Sequence, residues 1–175
     1  SSDESPDQWV GLNKVPDDIF PVYAIPTTSG TGSEATMGAV IKDPVERVKM
    51  IIAAEGLLPQ AVALDPDLLL GMPPAVTAAT GIDALTHGIE AYICVWDRGT
   101  RKENARLAVQ GVFQWLPKAM AEPDNRDARL GMALAAYHAG EAINQVSLGN
   151  VHAIAHLLGA RYGIPHGQAN ALALP

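Results

Sequence analysis

Asp83 and His87 stand four residues apart, His152 and His156 do the same, and His166 follows ten residues later. On a helix, a spacing of four puts both side chains on one face, about 6 Å apart along the axis. One carboxylate and two or three imidazoles aimed at a common point make a site for a divalent transition metal. The surroundings sharpen that reading. Asp83 lies in a largely apolar helical stretch, where an unpartnered carboxylate is costly and a metal or buried partner offsets the cost. His152 and His156 share one face of an Ala/Leu-rich segment. His166, between Pro165 and Gly167, falls at an expected helix start. There the positive end of the dipole disfavours a second charge and keeps the imidazole neutral, as a metal requires. His138 has no such companion, and a lone histidine on an apolar face is more often a satisfied core residue than a ligand.

A second chemical signal is the loop of Thr, Ser and Gly at 27–36. Gly30-Thr31-Gly32-Ser33-Glu34-Ala35 fits the spacing G-x-G-x-x-A, with Glu55 twenty residues beyond Ala35. A dinucleotide fingerprint of that form needs a helix to open directly after the glycines, so that the pyrophosphate meets its N-terminus. Residues 37–41 read as strand instead, which argues against the fingerprint. The hydroxyls of Thr27, Thr28 and Thr31, with small neighbours that expose backbone N–H groups, are the better indication of a phosphate or ribose contact. The competing reading is an ordinary polar turn.

These residues must be positioned by two unlike pieces of chain. Residues 1–20 read as a polar, proline-containing lead-in. A buried strand is expected at 22–26, a hairpin from strands at 37–41 and 48–53 joined by a turn at 42–47, and a short strand at 61–64. Beyond Pro73 the pattern is helical: to about Val95, then from about Thr100 to Leu116 with Pro117 as the stop, from about Arg126 to Ile143, from after a Gly149-Asn150 turn to about Leu158, and a last helix opening at His166 behind Pro165. The boundary falls near 66–72, giving a β-rich piece at 1–66 and an all-helical piece at 67–175.

Composition bounds the function. The 175 residues are 48% hydrophobic but only 5% aromatic, so Ala, Leu, Val and Ile carry the burial. A net charge of −7 and no basic stripe exclude a nucleic-acid binder. No apolar run is long enough to span a membrane, and the acidic start (Ser-Ser-Asp-Glu) is unlike a signal peptide. The single cysteine, Cys94, suits a cytoplasmic, reducing location and reads as a small buried hydrophobe.

Taken together, Pro26-Thr27-Thr28-Ser29-Gly30-Thr31-Gly32-Ser33-Glu34, then Gly81-Ile82-Asp83-Ala84-Leu85-Thr86-His87-Gly88-Ile89-Glu90-Ala91-Tyr92, then His152-Ala153-Ile154-Ala155-His156 with Pro165-His166-Gly167-Gln168-Ala169-Asn170-Ala171 resemble the iron-containing (group III) alcohol dehydrogenases. The likeness runs from about Phe20 to Pro175, with the blocks in the family's order. It implies that Asp83, His87, His152 and His166 hold one divalent metal, Fe2+ with Zn2+ as the alternative. It implies that His156 lies near the nicotinamide and assists proton transfer. It also implies that Thr27, Thr28, Thr31 and Lys49 contact NAD or NADP, and that the full-length protein is a homodimer.

The family's Gly-Gly-Gly-Ser-type pyrophosphate turn is not in this sequence. The fold class implied is therefore an α+β fragment: a few strands from the end of a nucleotide-binding α/β domain, then an all-helical metal-binding domain. The activity implied is hydride transfer between NAD(P) and a primary or secondary alcohol, or the matching aldehyde or ketone. Two alternatives stand beside it: a metal-binding remnant without turnover, and a relative acting on glycerol- or maleylacetate-type substrates.

Overall fold

The computed structural model describes residues 5–16, 18–43, 45–96 and 99–175. The acidic start at 1–4, residue 17 of the lead-in and Pro44 of the expected turn lie outside them. Among the described residues the chain is α+β, with short strands first and five α-helices after them.

The lead-in is more than a polar tail. Its Gly11–Leu12 segment forms a strand (β1) that pairs in parallel with Val48–Ala53 (β4), Gly11 opposite Ile52. The expected hairpin is present: Gly38–Asp43 (β3) runs antiparallel to β4 with Val40 opposite Ile51, so the sheet order is β1-β4-β3. Tyr23–Ala24 (β2) and Ala61–Val62 (β5) make a separate two-stranded parallel sheet. The expectation of a buried strand at 22–26 is corrected here. Tyr23 is 67% and Ile25 58% exposed, because a two-stranded ribbon leaves these alternate side chains facing outward.

The helices are Pro74–Ile93 (α1), Arg101–Ala121 (α2), Arg126–Asn144 (α3), Asn150–Tyr162 (α4) and His166–Ala173 (α5). Proline at its first position opens α1, and the Asn125 side chain caps α3 by accepting from the Ala128 N–H at 3.0 Å. Gly163, at φ 71°, ends α4 in the left-handed conformation, four residues later than the sequence indicates.

Pro117 does not stop α2, which continues to Ala121. Proline removes the bond to the Phe113 carbonyl and crowds that oxygen, but Ala119, 1% exposed, is held in the core beyond it. Alanines at 84, 108, 119, 128, 135, 136 and 139, with Leu85, Val112 and Met132, form the main core where α1, α2 and α3 meet. Such small side chains let helix axes approach closely. Cys94 packs half-buried against a neighbouring cluster of Ala91, Ala105, Ala142 and Ile143.

α1 is the central element, in contact with α2, α3, α4 and α5. It is buried on nearly every side between Gly81 and Ala91, and this is what places Asp83 in the interior.

Candidate metal centre

Three helices deliver the predicted side chains to one point. α1 carries Asp83 and His87, α4 carries His152 and His156, and α5 begins at His166. Asp83 Oδ1 is the focus: His152 Nε2 lies 3.3 Å from it, His166 Nε2 3.5 Å and His87 Nε2 3.8 Å. Ligand atoms of Asp83, His152 and His166 all fall within 4.8 Å of one another. His87 is set slightly apart, stacked face to face on His152 with ring centroids 4.3 Å apart. His156 lies 5.1 Å from His166 and 6.2 Å from His152 between centroids. His138, on α3, is not part of the group.

Two residues without a role in the sequence reading complete the arrangement. Glu90 is 7% exposed, and its Oε2 accepts from His152 Nδ1 at 2.6 Å. It also accepts from the backbone N–H groups of Gly149 (3.0 Å) and Val151 (2.7 Å) at the start of α4. The fully buried Asn170 donates through Nδ2 to Asp83 Oδ1 at 2.7 Å. Both were within reach of spacing arguments. Glu90 is seven residues from Asp83 on the α1 face already holding His87, and Asn170 is four residues from His166 on α5.

Electrostatics separates the roles. Burial works to raise the Asp83 carboxyl, but the His152 hydrogen bond and the surrounding imidazoles outweigh it and hold it below the ordinary range. Glu90 is likewise lowered, its burial overcome by the bonds from His152, Gly149 and Val151. Burial pushes His87 down to about 4, against the pull of Asp83. Burial, then the nearby Lys49 charge, pushes His156 down to about 4. His166 is lowered by burial. His152 alone is raised, because the bonds to Asp83 and Glu90 exceed its burial penalty.

This donor set fits a divalent cation. A carboxylate only accepts, so the short Glu90 bond places a proton on His152 Nδ1 and leaves Nε2 with a lone pair when the ring is neutral. Three imidazole nitrogens gathered on one carboxylate oxygen offer the lone pairs and the negative charge that a divalent ion takes up, and Asp plus His is a donor set that iron(II) and zinc share.

A cavity of about 910 Å³ opens beside the centre, lined by Asp83, His87, His152, His156 and His166 on one wall and by β-sheet residues such as Ile51 on another. Thr31 and Lys49 line it as well, with Lys49 Nζ 3.4 Å from His166 Nδ1. Thr27 and Thr28 precede this stretch and are not among its lining residues.

The glycines of the loop serve packing more than ligand approach. A Cβ on Gly30 would fall 2.5 Å from the Thr80 backbone oxygen, and one on Gly32 would fall 2.6 Å from the Gly140 Cα. The loop is thereby clamped onto α1 and α3, and Ser33–Ala35 form a 3-10 turn before β3, not a helix. The rejection of the dinucleotide fingerprint on that ground agrees with the structure.

Fold and site together describe an α+β protein whose helices gather an Asp/His cluster at the edge of a cavity. The chain belongs to the iron-containing alcohol dehydrogenase family. The model described as "Fe-containing alcohol dehydrogenase family, C-terminal" matches residues 77–175, and that described as "Iron-containing alcohol dehydrogenase" matches residues 3–66. An NAD-dependent methanol dehydrogenase of Bacillus methanolicus is 41% identical over 167 residues, covering 95% of this chain and 44% of the relative. A 1-propanol dehydrogenase of Citrobacter freundii is 47% identical over 157 residues, covering 90% and 42%. The crystal structure of a 1,3-propanediol oxidoreductase superposes with a TM-score of 0.90 at 42% identity, over 96% of this chain and 44% of that one. The chain thus spans less than half the length of the relatives it matches. Among the described residues, no helix is long and apolar enough to cross a membrane.

Proposed function

We propose that this chain carries the metal-binding half of an oxidoreductase that moves a hydride between a small primary or secondary alcohol and NAD(P). The observation that carries the proposal is the convergence of the His152, His166 and His87 Nε2 atoms on Asp83 Oδ1 at 3.3, 3.5 and 3.8 Å, beside a cavity of ligand size. Membership in the family and the names of its relatives support the reaction class.

In this reading Asp83, His152, His166 and His87 hold iron(II) or zinc. Bound metal would supply Lewis-acid polarisation of the alcohol oxygen, and bound dinucleotide the hydride acceptor. The chain's own residues do the rest. Asp83 contributes the charge that balances a cation in a buried setting. His156, unprotonated near neutral pH and lining the cavity, is placed to accept the proton the alcohol gives up. Thr31 and Lys49 present a hydroxyl and an ammonium along the cavity wall, where a dinucleotide phosphate or ribose would lie. Thr27 and Thr28 are assigned to the same ligand farther along the loop. The division into a nucleotide-binding piece at 1–66 and a metal-binding piece at 67–175, a homodimeric whole protein and a cytoplasmic location belong to the same proposal.

The test is to purify the chain anaerobically and load it with ferrous ion. NADH and NADPH formation is then followed with methanol, 1-propanol and 1,3-propanediol. Turnover that requires the metal and stops on chelation is the expected result. Metal uptake without turnover would favour the second reading, a metal-holding unit that is not itself active, which the coverage of under half of each relative makes specific.

A further inference from the structure

We infer that Glu90 is a positioning residue that sets which nitrogen of His152 faces the centre. The inference rests on the metal-centre reading above and assigns a residue that the ligand set leaves out. Three N–H groups converge on one carboxylate: Gly149 and Val151 from the backbone at 3.0 and 2.7 Å, and His152 Nδ1 at 2.6 Å. The first two lie at the opening of α4, so Glu90 docks that helix onto α1 with the same group that holds the imidazole. His152 is 0% exposed and bears a carboxylate at each end, with Asp83 Oδ1 3.3 Å and the Asn170 amide Nδ2 3.2 Å from Nε2.

A neutral imidazole has one proton to place. Bonded to Glu90, that proton sits on Nδ1 and the Nε2 lone pair points at the centre. Without Glu90, Nδ1 has no acceptor and the proton shifts to Nε2, where Asp83 accepts it in place of the Asn170 amide contact, and the nitrogen that should bind a metal is blocked. Gly149 makes room for the arrangement. A Cβ on Gly149 would fall 2.6 Å from Glu90 Oε1 and 2.7 Å from its Cδ. Gly149 itself has φ −104°, which other residues adopt freely, so what glycine provides there is space for the carboxylate.

Two variants test this in the full chain. E90Q keeps the shape but offers one acceptor oxygen to three donors. G149A keeps Glu90 and every ligand but displaces the carboxylate, the movable end of a flexible side chain. Each is titrated with Co2+, with helix content followed by circular dichroism. The metal-free His152 ring nitrogens are read by 15N NMR at a pH where the ring is neutral. Co2+ affinity is expected to fall about 10- to 100-fold in both variants at unchanged helix content, with the His152 proton on Nδ1 in the parent and on Nε2 in E90Q. A role limited to capping α4 would leave affinity and tautomer in place. Affinity within twofold of the parent in both variants, or a Nδ1 proton retained in E90Q, overturns the inference while the metal centre stands. A parent that binds no Co2+ overturns the metal-centre reading instead, and the ring spectrum then still decides the role of Glu90.

Discussion

His87 lies flat against His152, ring centroids 4.3 Å apart and planes 7° from parallel. Of the two, His152 is the one held between carboxylates and raised, while His87 is pushed down to about 4 chiefly by burial. Two stacked, buried rings cannot both carry charge cheaply, and the neighbours decide which one does. The consequence is a pH dependence in the metal-free chain. Unfolded His87 takes up a proton near 6.5 that the folded form refuses until about 4, so the unfolded state binds more protons across that window and stability falls as pH drops through it. His87 contributes at most about 3 kcal/mol to that loss. His156 adds to it in the same direction, less for its partial exposure to the cavity. His152 has the opposite sign: its contribution is fully present below its unfolded pKa and is lost as pH rises through its folded value. Urea unfolding of EDTA-treated chain between pH 7 and 4.5 should show a net fall, and a smaller one in His87→Phe, which keeps an aromatic ring in the stack. An equal fall in the variant would show that His87 is not its source.

The legible part of the site was the part written in helical spacing. Asp83 with His87 and His152 with His156 follow from a period of 3.6 residues, and the Pro165–His166 step marked the start of α5. That α1, α4 and α5 bring these pairs to one point is a tertiary fact, with no local signal. Glu90 was visible as a residue but not as a partner, because its role depends on where the start of α4 docks, 59 residues downstream. The β piece was less legible for a similar reason. β1 pairs with β4 across about forty residues, and a two-residue strand has no periodicity to read. Pro117 misled because propensity is local, whereas the packing that carries α2 past it is not.

Pro117 therefore makes a test of its own. It is exposed, inside α2, and deprives the Phe113 carbonyl of its helical partner. Pro117→Ala restores the N–H without disturbing the buried face formed by Ala105, Ala108, Val112 and Ala119. Stability should rise by about 1–3 kcal/mol, since proline in a helix interior costs roughly 3 and relaxation around it has recovered a share. Chemical denaturation gives the number. A variant that unfolds earlier than the parent would mean that the ring itself is packed to advantage.

Gly167 sets the distance between α5 and α1. A Cβ at this position would run into the backbone carbonyl of Ala79, which is not the end of a flexible side chain and cannot step aside. Gly167→Ala must push α5 outward and carry His166 and Asn170 with it. The expected cost is about 1–3 kcal/mol in stability, as for other overpacked contacts, together with weaker Co2+ binding although no ligand has changed. Parallel urea and Co2+ titrations read both. Unchanged metal affinity in a destabilised variant would show that the centre tolerates a displaced α5.

Asp83→Asn separates the charge of the centre from its shape. The amide is nearly isosteric, so the fold of α1 should persist, although the metal-free chain loses the carboxylate that His152 and the other imidazoles hold below its ordinary range and is expected to be less stable near neutral pH. Metal uptake should disappear, since neutral donors alone leave a divalent ion uncompensated in the interior. Linkage makes this measurable without any activity. A ligand held at a hundred times its Kd stabilises the native state by about 2.7 kcal/mol, so adding Co2+ should raise the melting temperature of the parent, EDTA should reverse the rise, and neither should move Asp83→Asn. A metal-dependent rise of equal size in the variant would remove Asp83 from the centre and, with it, the focus on which the His152, His166 and His87 nitrogens converge.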